Sequence, residues 1–212
     1  MTIFQALSRL LGAIAALALL SGCAAITAVS DAATPLEVYE LRAPVGISRT
    51  TRRAAPRDVI IELPTTGGAL ATDRIMIRPN RLQAQYLPDS RWSEPAPVMV
   101  QTLMLRAVEA TGALRYVGRE PLGVSGDYAV VTEVVDFQAE LIEGSDAATV
   151  RIQIITRLVR EQDARIVASQ TFSAEAPAAS TDTQTVVAAF NVASDQVFAD
   201  FASWVQRVVA GR

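Results

Sequence analysis

The sequence predicts an α+β fold: a single domain with a mostly antiparallel sheet packed by two main helices, behind a signal peptide and a short tether. Three observations favour this fold. Apolar and polar residues alternate through residues 128–175, as in strands with one buried face. Apolar residues recur at helical spacing in residues 95–111 and 186–208. The first apolar run of the 212-residue chain is followed, two small residues later, by its single cysteine.

The N-terminal residues 1–22 have the pattern of a secretory signal peptide. An apolar run from Leu10 to Leu20 follows a short segment in which Arg9 is the only formally charged side chain. The run is too short to span a bilayer, and small residues follow it. We therefore expect this segment to be removed after export.

The four residues Leu20, Ser21, Gly22 and Cys23 resemble the lipobox of bacterial lipoproteins. The resemblance implies that a signal peptidase recognises Leu20, Ser21 and Gly22 and cuts before Cys23. It also implies a diacylglyceryl thioether on Cys23 and an acylated new amino terminus, and several acyl chains anchor a protein stably. The alternative is an ordinary cleaved signal with an incidental cysteine. We favour the lipoprotein, because the only cysteine falls at the cleavage point.

Residues 23–35 are small or polar and are predicted to form a lipidated flexible tether. The domain is expected to occupy residues 36–212. In its first half, alternating or β-branched runs predict short strands; these are residues 36–41, 58–63, 74–78 and 83–87.

A helix is predicted to follow, with Ser93 as its cap and Pro95 and Pro97 at its start. Gly112 is expected to end this helix, because glycine is common just past a helix C-terminus. Residues 114–117 then return as a strand.

The second half predicts an antiparallel meander of three strands, because short polar turns separate its alternating segments. The strands are residues 128–141, 149–160 and 165–175. In the first of these the alternation places Ala129, Val131, Val135 and Phe137 on one face. A C-terminal helix follows, and its apolar stripe predicts packing across the sheet; the stripe contains Val186, Phe190, Val197, Phe201 and Val208.

Composition argues against most catalytic chemistry. The chain has no histidine and all 19 of its basic residues are arginine, which removes histidine and lysine general bases, histidine metal ligands and the P-loop lysine. Asp127, Glu133 and Asp136 are best interpreted as solvated charges on a strand. We therefore predict no enzyme, no catalytic residues, no metal site and no cofactor other than covalent lipid on Cys23. The net charge of −3 gives no electrostatic case for nucleic-acid binding.

Two places are candidates for contacts. Arg91 and Trp92 lie before the first helix, where an aromatic beside a cation can form a contact patch for a partner. Packing of Trp92 in the core is the alternative. The loop at residues 42–57 carries Arg42, Arg49, Arg52, Arg53 and Arg57. It could meet anionic lipid headgroups, but we favour a solvated loop, because acidic residues balance the charge of the domain.

Several motifs resemble those of the ABC-type transport auxiliary lipoproteins, the group that includes the lipoprotein of the paraquat-inducible lipid-transport system. The similarity runs across nearly the whole mature chain and ends in the meander and closing helix. The motifs are Tyr39-x-Leu41, Val59–Leu63 before a proline, Leu70-x-x-Asp73-Arg74-Ile75, Ile77-Arg78, Gln85-Tyr86 and Arg91-Trp92-Ser93-Glu94-Pro95.

The resemblance implies a non-catalytic periplasmic lipoprotein, held on the periplasmic face of the outer membrane by its lipid. Its implied partners are a mammalian-cell-entry (MCE) protein that carries phospholipid and an inner-membrane ABC permease with its ATPase. Ala24, rather than aspartate, after the cysteine agrees with release to the outer membrane under the enterobacterial sorting rule. The sequence is also compatible with a homo-oligomer.

Two alternatives remain at this point. The first is a structural lipoprotein that assists assembly of another envelope or secretion complex. The second is a domain that binds lipid itself, which predicts a sizeable apolar cavity between the sheet and the helices. A hydrolase that uses only carboxylates is a remote third.

Overall fold

The computed structural model describes residues 35–210, so the predicted signal peptide and nearly all of the predicted tether lie outside the described residues. The strands are β1 (Glu37–Tyr39), β2 (Ala55–Ile61), β3 (Thr65–Thr66), β4 (Met76–Asn80), β5 (Gln83–Tyr86), β6 (Ser90–Trp92), β7 (Leu114–Gly118), β8 (Tyr128–Leu141), β9 (Ala148–Arg160) and β10 (Arg165–Ala178). The helices are α1 (Ala96–Ala110) and α2 (Thr183–Val205), and a π-helical turn (Gln206–Ala210) continues α2.

The long strand β8 organises the main sheet. One of its edges pairs antiparallel with β9, which pairs antiparallel with β10. Its other edge is shared in turn by β2, β3 and β4, each of which runs parallel to it. The predicted α+β class and the antiparallel meander are confirmed. The sheet as a whole is mixed, because the N-terminal strands join it in parallel.

Two further pairings complete the sheets. β7 lies parallel to β2 on the side away from β8, and β5 forms a hairpin with β4. β1 and β6 form a separate two-stranded parallel sheet, in which Tyr39 lies opposite Trp92.

A β-bulge in β8 corrects the predicted face of that strand. The pairing with β9 shifts register between Val134 and Asp136, which inserts one extra residue at Val135. Before the bulge the buried residues include Val130 and Val134, whereas Val135 is 37% exposed. The assignment of Val131 and Val135 to the core face was therefore wrong, because both lie on the face opposite Val130 and Val134. Phe137, beyond the bulge, does point into the core as predicted.

The core is filled by aromatic side chains between the sheet and the helices. Trp92, Phe137 and Phe190 form one group, with ring centroids 5.1–6.0 Å apart. Phe172, Phe201 and Trp204 form a second group near the C-terminal end of α2. As predicted, α2 packs across the sheet, against β9 and β10, and it also contacts α1.

The predicted cap of the first helix was wrong. Pro95 is the N-cap residue of α1, which has no side-chain cap hydrogen bond, so Ser93 does not cap it. The helix does end just before Gly112 as predicted, and that glycine has a positive φ of 61°, a conformation that a residue without Cβ adopts without strain. Within α1, buried Gln101 donates from Nε2 to the Ile61 carbonyl at 2.8 Å, where β2 leaves the sheet.

Loop 119–127 connects β7 to β8, which lie on opposite sides of β2 and run parallel to it. The loop therefore crosses β2, and Gly126 provides the room for the crossing. A Cβ at this position would lie 2.9 Å from Cγ1 of Ile60, which is too close for an ordinary contact. Neither helix within residues 35–210 has the length and apolar character needed to cross a membrane.

Replacing Trp92 by alanine tests the assignment of this side chain to the core. Because the ring is 1% exposed and contacts two other aromatic rings, we expect the free energy of unfolding to fall by about 3–5 kcal/mol. Urea unfolding of the purified protein measures the change. Leu82→Ala is the control: that side chain is 97% exposed beside the β4–β5 turn, so its loss should change stability by less than about 0.5 kcal/mol. Similar small effects for both variants would contradict the burial of Trp92.

Candidate functional site

An arginine-lined cleft lies at one end of the domain. We call it the arginine cleft. Its volume is about 1060 Å³, and it lies between loop 50–57, the start of β7 and the π-helical turn. Its basic lining residues are Arg52, Arg53, Arg57, Arg115 and Arg207.

Backbone hydrogen bonds fix the loop that forms one wall of the cleft. The Thr50 amide donates to the Thr111 carbonyl at 2.8 Å, and the Ala55 amide donates to the Ala113 carbonyl at 2.8 Å. Between these two points the Arg52 amide donates to Oγ1 of Thr50 at 3.2 Å. The turn after α1 therefore holds loop 50–55 at both ends, and Gly112 makes that turn possible.

Two of the five arginines are neutralised by aspartates at the edge of the cleft. Arg115 donates from Nε and Nη2 to the two carboxylate oxygens of Asp58, each at 2.7 Å. Arg57 lies 3.6 Å from Asp127, which also accepts from the Asp58 amide at 2.8 Å. A bidentate arginine–carboxylate pair is among the better-defined ion pairs in proteins.

The Asp58–Arg115 pair shifts the titration of both groups. The hydrogen bonds from Arg115 lower the pKa of Asp58 below its ordinary value, against the opposing effect of burial. The same hydrogen bonds raise the pKa of Arg115. Both side chains are therefore charged at neutral pH.

The other three arginines of the cleft have no carboxylate partner among the described residues. Arg52, Arg53 and Arg207 are exposed and form no salt bridge with any residue in 35–210. The cleft thus carries a net positive charge on a chain whose overall charge is −3. Its chemistry is suited to binding an anion.

The carboxylates that the sequence grouped together do not form a joint site. Asp127 is engaged with Arg57, and Asp136 accepts from Nε2 of Gln138 at 2.8 Å. Glu133 lies on the exposed side of β8. Within residues 35–210 no three acidic, histidine or cysteine side chains are placed to hold a metal ion.

The structure separates the two residues of the predicted contact patch. Trp92 is buried in the core and is not available for a surface contact. The prediction that Trp92 contacts a partner was therefore wrong. Its position in β6, where alternate side chains face inward, explains the burial. Arg91 lies on the outer side of β6 and donates from Nη1 to Asp73 at 3.1 Å. Leu20, Ser21, Gly22 and Cys23 lie outside the described residues, so the lipidation site stays a prediction.

Sequence reasoning found only part of the arginine cleft. It noted the arginines of loop 42–57 and favoured a solvated loop, but it did not connect them with Arg115 or Arg207. The parallel pairing of β2 with β7 brings Arg115 beside Asp58, and Tyr116 lies opposite Asp58 in that register. Arg207 arrives through the continuation of α2 into the π-helical turn. Neither contact has a local sequence signal.

The chain matches the family of ABC-type transport auxiliary lipoprotein components over residues 39–202. The match extends from β1 to the last part of α2 and includes most of the described domain. This chain therefore belongs to the ABC-type transport auxiliary lipoprotein component family, as the motifs of the sequence indicated.

Solved structures share the fold. A protein from Xanthomonas campestris is 26% identical with a TM-score of 0.71, and the similarity covers 81% of this chain and 95% of that one. An uncharacterised protein is 14% identical with a TM-score of 0.60, over 81% of this chain and 99% of that one. A hypothetical protein from Chlamydia trachomatis is 11% identical with a TM-score of 0.50, over 74% and 100%. Among proteins with curated functional descriptions, no match was found.

Replacing Asp58 by asparagine tests the ion pair at the edge of the cleft. Because the folded protein lowers the pKa of Asp58, its contribution to stability is present above the unfolded-state pKa of about 3.9. That contribution is lost as the pH falls through the lower folded-state pKa. We therefore expect the variant to have a lower urea midpoint than the wild type at pH 7, and the two proteins to converge as the pH falls toward 2. A deficit of unchanged size at low pH would contradict a role for the ionised carboxylate.

Proposed function

We propose that this protein is a non-catalytic accessory component of an MCE/ABC-type intermembrane phospholipid transport system, anchored to the periplasmic face of the outer membrane. The observation that carries the proposal is membership of the auxiliary lipoprotein family over residues 39–202, combined with a lipobox that ends at Cys23. The family is described as an auxiliary component of ABC-type transport. The proposal adds to this description that the protein associates with an MCE protein, a permease and an ATPase.

A non-catalytic role is supported by how the acidic groups of the domain are used. Asp58 and Asp127 are engaged with the arginines at the edge of the cleft. On the outer face of the meander, Arg151 lies between Glu140 at 3.2 Å and Glu175 at 2.8 Å, across three adjacent strands. These carboxylates form ion pairs at the surface, an arrangement typical of solvated strand faces rather than of acid–base catalysis.

The anchor in this proposal is a lipid on Cys23, with residues 23–35 as the tether. A chain of this length spans at most about 45 Å when fully extended. The domain would therefore stay within a few nanometres of the membrane surface and could still reorient. Ala24 following the cysteine supports the outer membrane as the destination.

In mechanism, the domain would dock the periplasmic end of a lipid-carrying assembly against the outer membrane. A permanent anchor confines the domain to the outer-membrane surface, which raises its effective concentration for a lipid-carrying assembly that reaches that surface. A weak contact between the two is then enough to hold the assembly there. Arg91, half-exposed on β6 and paired with Asp73, remains a candidate for the docking contact.

Two substitutions in the lipobox test the anchor. Cys23→Ser removes the thiol that accepts the lipid, so we expect the protein to leave the outer-membrane fraction and to lose labelling by a clickable palmitate analogue. Ser21→Ala is the matched control, since it keeps a small residue at the same distance from the cleavage point, and it should remain labelled and membrane-bound. Membrane fractionation and in-gel fluorescence make both measurements. A labelled, membrane-bound Cys23→Ser protein would contradict lipidation at this residue.

The same pair tests the need for the anchor in function. Cells that carry only an exported, soluble Cys23→Ser protein should show the same defect in the outer-membrane lipid barrier as a deletion strain, whereas Ser21→Ala should restore it. Sensitivity to detergent and to large hydrophobic antibiotics measures the barrier. Full barrier function with the soluble protein would count against the proposed role.

A further inference from the structure

We propose that the arginine cleft binds the phosphate group of an anionic phospholipid, held by Arg52, Arg53 and Arg207. This inference goes beyond the proposed function, which assigns no ligand to the domain itself. It depends on the geometry and charge of the cleft and is independent of the anchor and of the partner complex.

The cleft carries a positive charge that nearby carboxylates do not balance. Five arginines line one cavity, and the adjacent aspartates Asp58 and Asp127 pair with Arg115 and Arg57. The remaining three have no carboxylate partner within residues 35–210. Like charges that line the same space repel one another, so an anion that enters between them is attracted by all three. The acidic overall charge of the chain makes this positive region a local feature.

Contacts within the domain hold the walls of the cleft in place before any ligand binds. Loop 50–55 is fixed at both ends by backbone hydrogen bonds to residues 111 and 113. On the opposite side, Val209 of the π-helical turn is buried, which fixes the turn that carries Arg207. Preformed walls lower the entropy that is lost when a ligand binds.

The cleft suits a phospholipid headgroup in its chemistry and its size. Planar guanidinium groups form paired hydrogen bonds with phosphate oxygens, which makes arginine well suited to phosphate recognition. A cavity of about 1060 Å³ is much larger than an inorganic phosphate needs. Part of its wall is apolar and would suit the glycerol and the first acyl carbons of a lipid; this part contains Ala54, Ala55, Pro56, Ala113 and Val209.

The test measures binding of water-soluble probes to the purified full-length mature lipoprotein in detergent, by isothermal titration calorimetry. The probes are dihexanoyl phosphatidylglycerol, dihexanoyl phosphatidylcholine, deacylated glycerophosphoglycerol and inorganic phosphate. The triple variant Arg52→Gln/Arg53→Gln/Arg207→Gln removes the three unpaired charges. The control Arg42→Gln/Arg81→Gln/Arg165→Gln removes three exposed arginines outside the cleft and has the same net charge.

We expect dihexanoyl phosphatidylglycerol to bind more tightly than its deacylated headgroup and than inorganic phosphate, because only the lipid reaches the apolar wall. The cleft variant should weaken this binding by about tenfold or more, since each lost arginine removes a charge-assisted hydrogen bond. The control variant should bind as the wild type does. Equal binding by the two variants would overturn the proposal.

Two further results would also overturn it. Equal affinity for inorganic phosphate and for dihexanoyl phosphatidylglycerol would show a site for free phosphate, and equal affinity for the two lipids would show that detergent-like partitioning accounts for the signal. Thermal unfolding checks that each triple variant is folded. If the triple cleft variant is unfolded, the single variant Arg207→Gln replaces it, with Arg165→Gln as its control. An affinity of Arg207→Gln for dihexanoyl phosphatidylglycerol equal to that of the wild type would then contradict the proposal. Because no partner or membrane is present, failure here leaves the proposed transport role untouched.

Discussion

The structure depends on the pairing of both edges of β8. One edge carries the antiparallel meander with β9 and β10, and the other is shared by β2, β3 and β4 in succession. A single long strand thereby joins the two halves of the chain into one sheet. The bulge at Val135 lies within this strand and changes the face that its alternation presents, so that Val130 and Val134 before it and Phe137 after it all point toward the helices.

The arginine cleft is a consequence of the same arrangement. Because β2 runs parallel to both β7 and β8, the starts of β2 and β7 meet at one end of the sheet and bring loop 50–57 beside Arg115. α2 runs along the sheet, and its π-helical continuation adds Arg207 to this end. The space between sheet and helices contains buried aromatic rings such as Phe137, Phe190 and Phe201. The ligand site proposed for this domain lies at its surface.

The sequence predicted features that depend on local pattern. The apolar stripe of α2 repeats over more than ten residues, so its buried face was assigned correctly. The face of β8 was assigned wrongly around Val135, because one inserted residue reverses a period-two pattern without leaving a composition signal. Trp92 was named as a candidate contact residue with core packing as the alternative, because the parallel pairing of β1 with β6, which buries it, joins residues about 50 positions apart. Arg52, Arg115 and Arg207 also come together through contacts between parts of the chain that are far apart in sequence.

The most direct test of the transport role is a mild cross-link in living cells, followed by detergent extraction through a C-terminal tag and mass spectrometry of the recovered proteins. We expect to recover an MCE protein together with an ABC permease and its ATPase, and the cross-linked residues should define the docking face of the domain. A Cys23→Ser strain processed in parallel should yield much less of the complex, because the anchor no longer confines the domain to the membrane. Recovery of a secretion pore or of cell-wall machinery, without transport proteins, would contradict the transport role and favour a structural lipoprotein.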